Sequence, residues 1–252
     1  MAGRIVSALV EAGPRARSLR DAVVLVTGGG GGLGAAIGRE LTGAGAAVVV
    51  ADVAERRARA VADELGPRAS AVPLDVGDPS SIADGVAAVA EEHGRIDVLI
   101  NNAGVDRTDP IDEIPPDTWS RILDVNLRGP ALLTQAAWPM LRDTHGDVVN
   151  IASTAAKRAW ANASAYHASK WGLLGLSHAL HAEGRACGIR VSAIVAGGMR
   201  TPFLLDRFPD IDLDTLQEPA AVARVIRFVL ELPAGTVMPE TLVLPEQESS
   251  WP

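Results

Sequence analysis

From residue 22 onward, short apolar runs alternate with longer stretches in which apolar and polar positions recur at helical spacing. The runs at 22–27, 46–52, 70–75, 97–101, 147–151, 190–195 and 240–244 are rich in valine, alanine and isoleucine and have the length of strands. Helices are predicted to open at Leu33 and to cover 54–65, 78–93, 117–144, 165–186 and 219–232. Asp78 followed by Pro79 is a helix start, because the carboxylate caps free N–H groups and proline needs none. The long segment 117–144 carries Gly129-Pro130, where an interruption is expected. Strands that are apolar throughout are buried on both faces, so the pattern predicts an α/β fold. The expectation is a single doubly wound domain over 21–252, with a seven-stranded parallel sheet flanked by helices on both faces. Residues 1–20 read as a loosely packed basic extension. The apolar stretch at 5–10 is too short for a signal segment.

Composition narrows the function. The net charge is −8 over 252 residues, which argues against a nucleic-acid binder, whose mark is a basic face. No apolar run approaches the roughly 20 residues of a membrane span. A single cysteine, Cys187, excludes an internal disulfide and a cysteine-rich metal site. It reads as a small, partly buried side chain. His178 and His181 lie three apart but have no third ligand nearby, so no metal is expected and a surface helix is the better reading. Trp119, Trp138 and Trp171 fit helix packing; Trp251 lies in the tail.

Scarcity points to the chemistry. Tyr166 is the only tyrosine, and Lys157 and Lys170 are the only lysines among the 23 basic residues. Where arginine is used almost everywhere else, a retained lysine suggests that an amine is needed. Tyr166 and Lys170 are four apart, which on a helix places them on one face. An ammonium near a phenol favours phenolate and lowers a pKa of about 10.

A run of five glycines, 28–32, follows the first strand and precedes a helix. Five glycines fit many patterns, but this context is that of a turn cradling a pyrophosphate at a helix N-terminus, as in a Rossmann-type fold. Asp52 ends the second strand. A carboxylate there accepts from adenosine-ribose hydroxyls and repels a 2′-phosphate, which favours NAD over NADP. Arg56, Arg57 and Arg59 read as the exposed face of the next helix.

With these residues in place, the chain resembles the short-chain dehydrogenases/reductases over about 22–245. Thr27-Gly28, Gly32 and Gly34, with Leu33 between them, resemble the family's cofactor turn; Asp75-Val76 resembles its adenine-contact pair. Asn101-Asn102-Ala103-Gly104 resembles the motif after the fourth strand. Asn126, Ser153, Tyr166 and Lys170 match its catalytic set, and Thr201 matches the threonine that contacts the nicotinamide carboxamide. The resemblance implies a cytoplasmic, NAD-dependent oxidoreductase that interconverts a secondary alcohol and a ketone and assembles as a dimer or tetramer. It implies that Tyr166 moves the proton and that Ser153 holds the substrate oxygen. Lys170 would hold the nicotinamide ribose, and Asn126 would position a water.

The chain departs from the pattern in two places. Ala196-Gly197 stands where many members have Pro-Gly, and the common glycine-rich ending is replaced by residues 236–245. The segment between Ser153 and Tyr166 and the loop at 197–217 offer Ala155, Trp160, Met199, Phe203, Leu204, Leu205 and Phe208. These suggest a mainly apolar small-molecule substrate, with Arg200 or Arg207 as a possible partner for a carboxylate. His167 is placed at the pocket mouth. Two other readings remain, a dinucleotide sensor without catalysis and a nucleotide-sugar epimerase or dehydratase.

Overall fold

The computed structural model describes residues 17–248. Seven parallel strands form one sheet in the order β3-β2-β1-β4-β5-β6-β7. They are β1 (Val23–Thr27), β2 (Ala47–Asp52), β3 (Ala69–Pro73), β4 (Val98–Asn101), β5 (Asp147–Ser153), β6 (Arg190–Ala196) and β7 (Glu240–Val243). The helices are α1 (Gly32–Gly43), α2 (Glu55–Leu65), α3 (Pro79–His93), α4 (Pro116–Leu123), α5 (Gly129–Thr144), α6 (Ser164–Gly184), the short α7 (Pro202–Leu205) and α8 (Pro219–Leu230).

Residues along β1 alternate between two cores, as successive strand side chains must. Val24 and Val26 pack with Ile37 and Leu41 of α1 and with Val222 and Ile226 of α8. Val23 and Leu25 pack with Ile82 and Val86 of α3 and with Leu133 and Leu141 of α5. β1 is therefore apolar from Val23 to Val26, and the sheet is covered on both sides. Asp78 caps α3 by accepting from the Ser80 N–H at 2.9 Å, with Pro79 at the first helical position, and Gly94 ends the helix in the left-handed region.

Part of the expected extension belongs to the body of the protein. Leu19 is buried in the core. Arg17 donates to the buried Asp147 at 3.0 Å, beside Arg190, which donates to the same carboxylate at 2.6 Å. Residues 1–16, including the stretch at 5–10, and Trp251 lie outside the described residues. Trp171 differs from the expectation of packing: it is exposed on α6, whereas Trp138 packs against the core.

The predicted break at Gly129 is a π turn over Asp124–Arg128, wider than the flanking α-helices. Such a turn inserts one residue and turns the side chains around it, and it is often found at functional positions. Asn126 lies in it, fully buried.

In this order the succession of strands runs outward in opposite directions from the junction of β1 and β4. Ligands of open α/β sheets bind at the carboxyl ends of such strands. Thr27 and Asn102 stitch the two ends together. The Thr27 hydroxyl donates to the Ile100 carbonyl at 3.2 Å and accepts from the Asn102 and Ala103 N–H groups at 3.0 and 3.1 Å. The Asn102 amide donates back to the Thr27 and Gly28 carbonyls at 2.9 and 3.2 Å.

Candidate active site

A cavity of about 590 Å³ opens above these strand ends. Gly28, Gly31, Gly32, Leu33 and Asp52 line one part of it; Ser153, Tyr166, Lys170 and Thr201 line another. Asn102, Ala103 and Gly104 lie between them on the wall. The fold thus brings together most of the residues singled out in the sequence. Thr27, Gly34 and Asn126 stand behind the wall and shape it. Asp75 and Val76 are not on it: the Asp75 carboxylate accepts from Arg121 at 2.8 and 2.9 Å and from the Gly77 N–H at 2.8 Å.

The glycine turn has room for an anion. A side chain at Gly34 would meet the Gly28 carbonyl oxygen at 2.2 Å, and Gly28 itself has φ +60, which favours glycine. At Gly31 the space is open, with no atom within 4 Å of an added Cβ. Gly31 caps α1 without a side chain, and the first turn of that helix carries no acid. Free N–H groups and the positive end of a helix face that space, as a pyrophosphate requires. The residues present therefore fit a dinucleotide.

Asp52 is nearly buried and holds the turn closed. Its carboxylate accepts from the Gly30 N–H at 3.0 Å, the Ala54 N–H at 2.9 Å and Arg57 at 3.2 Å. Arg57 lies on the exposed face of α2, as expected, and from there its guanidinium reaches the Asp52 carboxylate at the cavity wall.

At the other end, Ser153 closes β5, and its hydroxyl accepts from the Ala155 N–H at 3.2 Å. It also favours the ionised form of the nearby Tyr166 phenol. Tyr166 and Lys170 lie one turn apart on the buried face of α6. Burial pushes the phenol up to about 12, against the opposing pull of Ser153 and Arg207, and Asp106 pushes it further up. Burial also lowers the Lys170 amine to about 8, while Asp106 pulls it back up. The depression of Tyr166 expected from its lysine is therefore not found. Desolvation disfavours both charged forms and outweighs their mutual effect. Lys170 donates to the Ile151 carbonyl at 2.8 Å.

The Asn126 amide accepts from the Val105 N–H and donates to the Val105 carbonyl, both at 2.8 Å, and donates to Ser169 at 3.0 Å. Both amide protons are thus engaged, and the amide oxygen, which accepts one bond, keeps acceptor capacity. His167 turns from the cavity. One ring nitrogen lies 2.9 Å from the Ala155 carbonyl, and the other accepts from the Trp160 N–H at 3.2 Å, so the histidine holds the segment that carries Trp160.

The expected apolar wall is present in Trp160, Met199, Phe203, Leu204 and Phe208, without Ala155 or Leu205. Arg200 is turned to Glu218 and the Leu213 carbonyl. Sequence reasoning missed three charged side chains that line the cavity: Asp106, Asp206 and Glu248. Asp106 is paired with Arg207, and Glu248 accepts from the Gly198 N–H at 3.1 Å. Asp106 follows the Asn-Asn-Ala-Gly motif by two residues, which was the one signal available for it. Nothing local marked Glu248.

A parallel sheet in this order, a glycine turn at its switch point and a Ser-Tyr-Lys cluster across one cavity define a nucleotide-dependent oxidoreductase scaffold. The chain belongs to the short-chain dehydrogenase family, whose pattern it matches over residues 22–212. It is 41 % identical over 176 residues to the D-threitol dehydrogenase of Mycolicibacterium smegmatis, covering 68 % of each chain. It superposes with a TM-score of 0.85 on the 3-ketoacyl-(acyl-carrier-protein) reductase of Brucella melitensis complexed with NADH, at 29 % identity, covering 92 % of this chain and 100 % of that one. It superposes at 0.80 on a metagenomic short-chain oxidoreductase in complex with NADP, at 34 % identity, covering 91 % and 99 %.

Proposed function

We propose that the chain is an NAD-dependent dehydrogenase that interconverts a small, mainly apolar secondary alcohol and its ketone. The observation that carries this reading is the buried Tyr166 phenol, which shares with Ser153 and Lys170 a cavity that also reaches the glycine turn. A bound nicotinamide dinucleotide supplies or accepts the hydride. The Ser153 hydroxyl holds the substrate oxygen as charge changes on it. Tyr166 gives that oxygen a proton in reduction and takes one in oxidation. The phenol is protonated at neutral pH, which is the donating form, and burial raises its proton affinity further. Lys170, tethered at Ile151, is assigned to the ribose of the nicotinamide, and Thr201 to its carboxamide. Asn126 is assigned to fixing the turn at 104–106.

Asp52 supports NAD over NADP, because a 2′-phosphate brought to its carboxylate would be repelled. Arg57 beside it offsets part of that repulsion, so the preference is one of degree. Trp160, Met199, Phe203 and Phe208 support an apolar substrate body. A cytoplasmic homo-oligomer remains the reading drawn from the family. No helix among the described residues is long and apolar enough to cross a membrane. Trp171, Phe228 and Leu242 are large exposed apolar side chains available to an interface.

The test is a panel of alcohols and ketones with NAD(H), followed at the absorbance of the reduced nicotinamide. It includes polyols, since one relative is named for threitol. Turnover of apolar secondary alcohols is expected. A clear preference for polyols would overturn the substrate class, and dinucleotide binding without turnover of any substrate would favour a sensor.

A further inference from the structure

Asp106 follows the turn beyond β4, and its side chain is only 7 % exposed. Its ion-pair partner, Arg207, comes from the segment beyond α7, 101 residues later. The Arg207 guanidinium lies 4.4 Å from the centroid of the Phe203 ring, and its Nε donates to the Phe203 carbonyl at 2.9 Å. The Phe203 ring in turn lies 6.1 Å from that of Tyr166. Asn126 grips both peptide groups of Val105, so the next residue, Asp106, is presented from a fixed backbone. Both members of the pair line the same cavity as Tyr166 and Lys170. An exposed pair would contribute little, but charges in a partly dehydrated cavity are weakly screened and act over several ångströms.

We propose that Asp106 and Arg207 form a charge couple that sets the proton affinity of the Tyr166–Lys170 pair, Asp106 holding protons on it and Arg207 cancelling that hold. Both act through other groups and are positioning residues. Tyr166 is faced by Ser153, Lys170, Asp106 and Arg207. Lys170 is faced by Asp106 and the Ile151 carbonyl. Asp206 and Glu248 share the cavity wall, Glu248 being engaged with Gly198. His167 is turned to Ala155 and Trp160. The directions agree: the Asp106 charge raises both phenol and amine, and the Arg207 charge lowers the phenol.

The consequence for turnover rests on the oxidoreductase reading above, but the test does not. Tyr166 is the only tyrosine, so tyrosinate absorbance near 295 nm titrates that residue alone. A pH jump in a stopped-flow cell reads it within milliseconds, ahead of alkaline unfolding. Asp106→Asn is expected to move the ionisation to lower pH and Arg207→Gln to higher pH, each by about half to one unit. The double variant should fall between them. Shifts in the same direction or unmoved titrations would overturn the proposal. If Asp106→Asn does not fold by circular dichroism, Arg207→Gln decides it: an unmoved titration or one moved to lower pH overturns the proposal. Failure of the oxidoreductase reading shows separately, as absence of nicotinamide turnover in the wild type.

Discussion

The Lys170 Nζ lies 5.7 Å from the centroid of the Tyr166 ring and donates its 2.8 Å hydrogen bond to the Ile151 carbonyl. The two groups expected to form a directly coupled pair are held side by side, with the amine bound to a backbone carbonyl. Burial raises the phenol and lowers the amine.

Replacing Tyr166 by phenylalanine removes only the phenolic oxygen from a buried ring. Turnover is expected to fall by about 10²–10⁴-fold, the usual contribution of a positioned acid or base. Dinucleotide binding, followed by quenching of tryptophan fluorescence, should persist. Retention of wild-type turnover would remove Tyr166 from the chemistry.

The two buried groups also shape stability against pH. Unfolded lysine titrates near 10.5 and folded Lys170 at about 8. The unfolded chain therefore binds more protons between those values, and stability rises with pH across that window. The Lys170 contribution, full above 10.5, is lost as pH falls through 8. Tyr166 has the opposite sign: its folded value of about 12 exceeds the ordinary 10.0, so its contribution is full below 10 and is lost as pH rises through 12. Urea midpoints should rise from pH 8 to 10 for the wild type, and this rise should be smaller in Lys170→Met.

The glycine turn separates folding from binding. Gly34→Ala would drive a methyl into the Gly28 carbonyl and should destabilise the fold, which thermal unfolding would detect. Gly31→Ala meets no atom of the protein within 4 Å. It should leave the unfolding temperature nearly unchanged and weaken dinucleotide binding by about tenfold or more, as a methyl enters the space assigned to the pyrophosphate.

At the adenosine end, Asp52→Ala should narrow the gap between NAD and NADP affinity, and Arg57→Ala should widen it. Titration calorimetry with both dinucleotides checks the two signs. Equal affinities in the wild type would contradict the NAD assignment.

The link between sheet and helix can be tested at Asp147, which is buried against Arg190 and Arg17. Arg190 also donates to the carbonyls of Leu230 and Leu232. Asp147→Ala leaves that guanidinium without its charge partner in a poorly solvated place and should cost about 3–5 kcal/mol in urea unfolding.

The local parts of this protein were legible in its residues. Strand-length valine runs, Asp78-Pro79, the glycine run after the first strand and the four-residue step from Tyr166 to Lys170 each carry their meaning within a few positions, because helical and strand periodicities are short-range. Family motifs placed Ser153 and Asn126 in the same way. Two relationships depended on the folded chain: Asp106 paired with a residue 101 positions away, and Glu248 brought to Gly198. These join loops that meet only where the sheet's carboxyl edge gathers them. Burial, the force that sets Tyr166 and Lys170, likewise depends on which elements close over a side chain, and no stretch of sequence carries that alone.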